Sequence, residues 1–196
     1  MNTRQRTSWT SLVAPESGGG ELARVYEIIR GRSSGGTVSR VWQGLGHDPR
    51  GLEAIHALYR TLMDEPAPLT PAQAELIAVV VSATNGCAYC VAHHGPDLAA
   101  ALGDEVLARA VALDYRQANL VARDRVLLDS AVALTCEPSE RTAADIERLR
   151  EYGFDDAAIV KATEIAAYTN LINRVTCALG IELEPAVARW EFGSQK

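Results

Sequence analysis

The chain has 196 residues, 47% of them hydrophobic and 22% charged, with a net charge of −6. That length suits one domain with a sizeable core, and the acidic balance argues against nucleic acid or an anionic membrane surface as a partner. No apolar run approaches the ~20 residues of a membrane-spanning helix, and the opening "MNTRQRTSWTSLVAPESGGG" lacks the apolar stretch of a secretory signal.

Residues 1–20, with Pro15 and the run Gly18-Gly19-Gly20, read as an extended arm, and Glu21–Gly31 has helical spacing that stops at Gly31. Residues 1–40 are therefore expected to be an N-terminal arm carrying a short helix. Arg32–Gly36 reads as a linker, and "VSRVWQGLG" as a short helix. Asp48 then caps a helix opening at Pro49, behind which Leu52, Ile55, His56, Leu58, Tyr59, Leu62 and Met63 form an apolar stripe. His47 reads as a surface residue and His56 as packing.

After the loop Asp64–Pro71, Thr70-Pro71-Ala72-Gln73 is a capping box with Pro at the first helical position. "AELIAVVVSAT" follows. Its Val79-Val80-Val81 favours a strand, but the cap, the length and the lack of alternation favour a buried helix. Asn85-Gly86 ends it, because both residues tolerate the left-handed backbone that closes helices. The next helix is expected from about Cys87 to about Leu102. Further helices are expected over Asp104–Leu113, Asn119–Thr135, Thr142–Gly153 and Asp155–Gly180. Nothing reads as a strand. The expected fold is an all-α bundle over residues 41–185, followed by a tail, 186–196, that carries Trp190 and Phe192.

Chemistry concentrates in residues 85–95, "NGCAYCVAHHG". A cytoplasmic location is expected, and reducing conditions there leave the four cysteines free, catalytic or metal-bound. With Cys87 in the first turn, Cys87, Cys90 and His94 share one helical stripe. First-turn N–H groups and the helix dipole both favour thiolate over thiol there. An imidazole one turn on can take the thiol proton. Glu75, on the preceding helix among Leu76, Ile77, Val79 and Val80, can reach back to Cys87 or His94 as a proton acceptor. His93 lies off that stripe and reads as a structural or contact residue. Cys136 and Cys177 have no partner at motif spacing and read as core or free thiols. Asn173-Arg174 reads as an ion pair or subunit contact.

Glu75, Cys87, Cys90 and His94, set in "ELIAVVVSATNGCAYCVAHHG", resemble the AhpD-like alkylhydroperoxidases of the carboxymuconolactone decarboxylase superfamily. The "NGCxYCxxHH" text is similar to its peroxidase-related branch, and the likeness runs over roughly residues 45–185, including "NLINRV" and the "LG" that follows. The resemblance implies an AhpD-like helical fold, a homo-oligomer (a trimer or a dimer of trimers), and thiol-dependent reduction of hydroperoxides. It also implies that Cys90 attacks the peroxide, Cys87 resolves the sulfenic acid, and Glu75 and His94 relay protons. Tyr89 stands where the well-characterised branch has a His. A phenol titrates near 10 and is no base at neutral pH, so either His93 takes over or Tyr89 packs and hydrogen-bonds.

The leading expectation is a hydroperoxide-reducing enzyme whose disulfide is returned to the dithiol by a separate thiol or dithiol donor. No organic cofactor and no metal is required, and no nucleotide-binding fingerprint appears. Three other readings stay open: a general thiol–disulfide oxidoreductase, a zinc site on Cys87, Cys90, His94 and either His93 or Glu75, and a non-catalytic helical interaction module. Lactone decarboxylation is disfavoured because that branch does not depend on a Cys pair.

Overall fold

A computed structural model of the chain describes residues 7–31, 33 and 35–195. Among them the regular structure is helical throughout: α1 (Gly20–Arg30), α2 (Arg40–Leu45), α3 (Pro49–Met63), α4 (Pro71–Thr84), α5 (Ala88–Leu102), α6 (Glu105–Asp114), α7 (Ala122–Cys136), α8 (Ala143–Glu151) and α9 (Asp156–Ala178). None of these helices is long and apolar enough to cross a membrane.

The helix ends follow the local chemistry of the sequence. Asp48 accepts from Gly51 N–H at 3.1 Å, Asp104 from Leu107 N–H at 2.9 Å, and Asp155 from Ala158 N–H at 2.8 Å. Thr70 and Gln73 form the reciprocal capping box, each backbone N–H bonding the other side chain at 3.1 Å. Gln73 has a second task that its sequence position did not disclose, since its amide donates to Asp124 and ties α4 to α7.

The ambiguous valine-rich stretch is a helix because it is covered on all sides. Leu76 through Val81 are fully buried, and α4 packs against α5, α7 and α9. Burial all round removes the amphipathic signature and leaves β-branched residues free to pack within a helix. The turn from α4 to α5 runs through Gly86 at φ +71, a left-handed backbone that a Cβ would strain.

Residues outside the central bundle are drawn onto it. In the N-terminal segment, Trp9 N–H donates to Leu179 O at 2.8 Å, and α1 packs on α3 in a second small core of Leu22, Val25, Tyr26, Ile29, Val38 and Leu52. The C-terminal segment closes over α6: Gln195 is fully buried, and its amide donates to Ala112 O and Leu113 O. Trp190 is buried beneath the Arg109 guanidinium, 4.4 Å from its ring centroid, and packs on Gly95 of α5. The arm's first six residues lie outside the described residues.

Candidate active site

Cys87 is the N-cap of α5, so the thiol pair sits where the helix presents unbonded N–H groups. Cys90 N–H donates to Cys87 Sγ at 3.4 Å. The two cysteines are joined as a disulfide, with Cα atoms 5.4 Å apart, inside the range that such a bridge spans without backbone movement. Both are buried, but they differ in outlook. Cys90 lines a cavity of about 510 Å³, and Cys87 does not.

One turn on, His94 also faces that cavity, and its Nδ1 lies 2.8 Å from Glu75 Oε2. A carboxylate accepts, so Nδ1 donates, and Nε2 is the nitrogen left for proton exchange. Burial alone pushes the His94 pKa down, but the Glu75 charge, their hydrogen bond and the Asp97 charge outweigh it, and the net shift is upward. The Asp97 carboxyl is pushed above the usual carboxylate range, first by burial and then by Glu75, against the pull of His94 and His93. Glu75, His94 and Asp97 bring their donor atoms within 4.8 Å of one another. The cysteines, joined to each other, are not part of that group.

A second imidazole–carboxylate pair flanks the first. His93 Nε2 lies 3.0 Å from Glu184 Oε2, and Tyr89, stacked at 4.5 Å from the His93 ring, donates its hydroxyl to Glu184 Oε1 at 2.8 Å. Glu184 also accepts from Arg40 N–H at 2.7 Å. Burial favours its neutral form, but these donors prevail and hold the carboxyl at about 2. Tyr89 is pushed far above its ordinary value by burial and by Glu184, so it acts as a hydrogen-bonding post and not as a base.

The structure joins Cys87 to Cys90 and His94 to Glu75, and it sets Cys90 and His94 on the wall of one cavity. His93 also belongs to the cavity wall, beside Tyr89, where it makes a structural contact of the kind expected of it, with Glu184. Glu184 arrives from the chain beyond α9, and nothing in its local sequence marked it out. His56 does pack, edge-on to Trp42 at 5.3 Å, but it also faces the cavity. Cys136 and Cys177 are free and exposed. Arg174 donates to the Asn170 backbone and side chain and has no ion-pair partner among the described residues, while Asn173 is buried and donates to Ser82.

Residues 49–114 match the family model of the carboxymuconolactone decarboxylase family. The chain is 30% identical to an uncharacterized peroxidase-related protein from Silicibacter sp. TM1040, with a TM-score of 0.80 over 95% of this chain and 97% of that one. It is 29% identical to an uncharacterized peroxidase-related protein with an alkylhydroperoxidase AhpD core from Ralstonia eutropha JMP134, with a TM-score of 0.83 over 92% and 94% of the two chains. The debrominase Bmp8, solved in complex with 2,3,4-tribromopyrrole, shares the fold at 20% identity, with a TM-score of 0.75 over 91% and 95%. Comparison with curated proteins returns no match.

Proposed function

This chain belongs to the AhpD/carboxymuconolactone decarboxylase superfamily, and from that premise we propose that it is a thiol-dependent peroxidase that reduces hydroperoxides through a Cys87–Cys90 dithiol/disulfide cycle. The observation that carries the reading is the asymmetry of the pair. Cys90 opens into a cavity beside the His94–Glu75 dyad, while its disulfide partner Cys87 is withdrawn from that cavity.

In the reduced protein His94 Nε2 takes the Cys90 thiol proton, helped by Glu75, which favours the imidazolium. The thiolate sulfur attacks the distal peroxide oxygen. A sulfur–oxygen bond forms, the oxygen–oxygen bond breaks, and the imidazolium returns its proton to the departing alkoxide. The products are an alcohol and a Cys90 sulfenic acid. Cys87 thiol then displaces water from that sulfenic acid and closes the disulfide. Two electrons from an external thiol or dithiol reopen it.

Mass spectrometry after one equivalent of cumene hydroperoxide, with and without dimedone, tests this order. A Cys87→Ser variant should accumulate a dimedone adduct on Cys90, and the wild type should close the 87–90 disulfide. An adduct on Cys87, or Cys90 reacting no faster than free cysteine, overturns the reading.

A further inference from the structure

Among the described residues two buried side-chain oxygens have no hydrogen-bond partner, Tyr168 Oη and Thr176 Oγ1. Both residues line the cavity onto which Cys90 opens. Elsewhere the fold satisfies such groups. Buried Thr84, Thr135 and Thr169 each donate to the carbonyl four residues back, at 2.7 to 2.8 Å. Buried Tyr26, Tyr89 and Tyr115 reach Val13 O, Glu184 and Asp129. Thr176 has the Ile172 carbonyl at the same spacing in the same helix as Thr169, and leaves it unused. Buried polar groups are rarely left in this state, and these two exceptions fall on one cavity.

Tyr168, Ile172 and Thr176 follow one another at intervals of four on α9, so they form a single stripe about 12 Å long at 1.5 Å per residue. The stripe is polar, apolar, polar. Trp42 and Tyr59, 5.9 Å apart, and Tyr168, 6.1 Å from Tyr59, supply aromatic wall. At about 510 Å³ the cavity is of the size that holds drug-like ligands, far beyond the ~30 Å³ of a water-sized molecule such as hydrogen peroxide. The cations that face it are already matched: Arg60 with Asp64, His93 with Glu184, and His94 with Glu75.

We propose that Tyr168 and Thr176 are a substrate-recognition pair, and that the substrate is an uncharged organic hydroperoxide whose hydrocarbon body bears a second hydrogen-bonding oxygen, a hydroxyl or a carbonyl. This rests on the peroxidase reading above. The two hydroxyls take the oxygens of the substrate, Ile172 and the aromatic wall cover its hydrocarbon, and the matched charges disfavour a carboxylate.

Linalool hydroperoxide, which carries a separate alcohol, is the probe, with cumene hydroperoxide and linoleic acid hydroperoxide as comparators. The wild type should prefer the linalool compound in kcat/KM. In Tyr168→Phe and Thr176→Val, which keep side-chain shape, the linalool-to-cumene preference should fall roughly three- to tenfold each, the size of one net hydrogen bond, and through KM. Calorimetric binding of the corresponding linalool-derived diol, which needs no turnover, should weaken by a similar factor. Circular dichroism melting reports whether each variant folds. Turnover in which the preference does not respond to either variant overturns the recognition pair and leaves the peroxidase reading standing. Hydroxyl-dependent binding of the diol without turnover of any hydroperoxide keeps the pair and overturns the peroxidase reading. Diol binding that ignores both hydroxyls, or preference for the linoleic acid compound, overturns the proposal outright.

Discussion

Glu184→Gln removes one charge from a point where donors from three parts of the chain converge. Arg40 N–H, the Tyr89 hydroxyl, the His93 ring and the residue's own backbone N–H all favour the ionised carboxylate and hold it at about 2, against an ordinary 4.5. At about 1.4 kcal/mol per pKa unit this sets a ceiling of roughly 3 kcal/mol on the stability that ionisation contributes at neutral pH. The amide still accepts from some of those donors, so the expected loss at pH 7 is about 1–3 kcal/mol. The folded pKa is depressed, so the contribution is fully present above about 4.5 and fades as pH falls toward about 2. Urea denaturation of wild type and variant at pH 7 and pH 3 measures it. The gap between them should shrink to about half at pH 3. Equal stabilities at pH 7, or a gap that widens on acidification, would refute the argument that this carboxylate clamps α2, α5 and the chain beyond α9 together.

Glu75→Gln should lower the His94 pKa, because burial is then opposed by the Asp97 charge alone. In the wild type that pKa is raised, so the charged imidazole stabilises the fold at low pH and the gain is lost as pH rises through the folded value. An NMR titration in which the His94 ring of the variant titrates no lower than in the wild type would contradict this. Gly95→Ala places a Cβ 2.5 Å from ring atoms of Trp190, which is buried and covered by Arg109. The clash outweighs alanine's helix preference, and thermal melting should report a net loss of about 1–3 kcal/mol. Iodoacetamide applied to the denatured, hydroperoxide-treated protein should label two thiols, Cys136 and Cys177, and label four after reduction. Four labels without reductant would mean that the bridge does not form.

The proposed relay of Glu75, Cys87, Cys90 and His94 could be read from the sequence because three of its members lie at the start of α5 and the fourth on the helix just before it. Local periodicity reaches that far. Glu184 was not legible. It is about 90 residues from Tyr89 and His93, in a stretch with no periodic pattern, and acts only because the chain beyond α9 returns to α2 and α5. The partner of His93 was hidden for the same reason, since helical angle separates His93 from Cys87 but says nothing of a distant carboxylate. Tyr168 and Thr176 look like ordinary helix residues until the hydrogen bonds of every neighbour are known.

Caps, glycine stops and apolar runs determined that the chain is helical and where most helices begin, because these are interactions between residues four or fewer apart. The Cys-x-x-Cys followed by His-His determined which thiols sit at a helix terminus beside an imidazole. Packing alone decided that one sulfur faces the cavity and the other does not, and that a distant carboxylate fixes the second histidine. It likewise decided that two residues lining that cavity carry buried hydroxyls without partners. Those outcomes depend on which helix surfaces meet, and contact between residues far apart in the chain leaves no local trace.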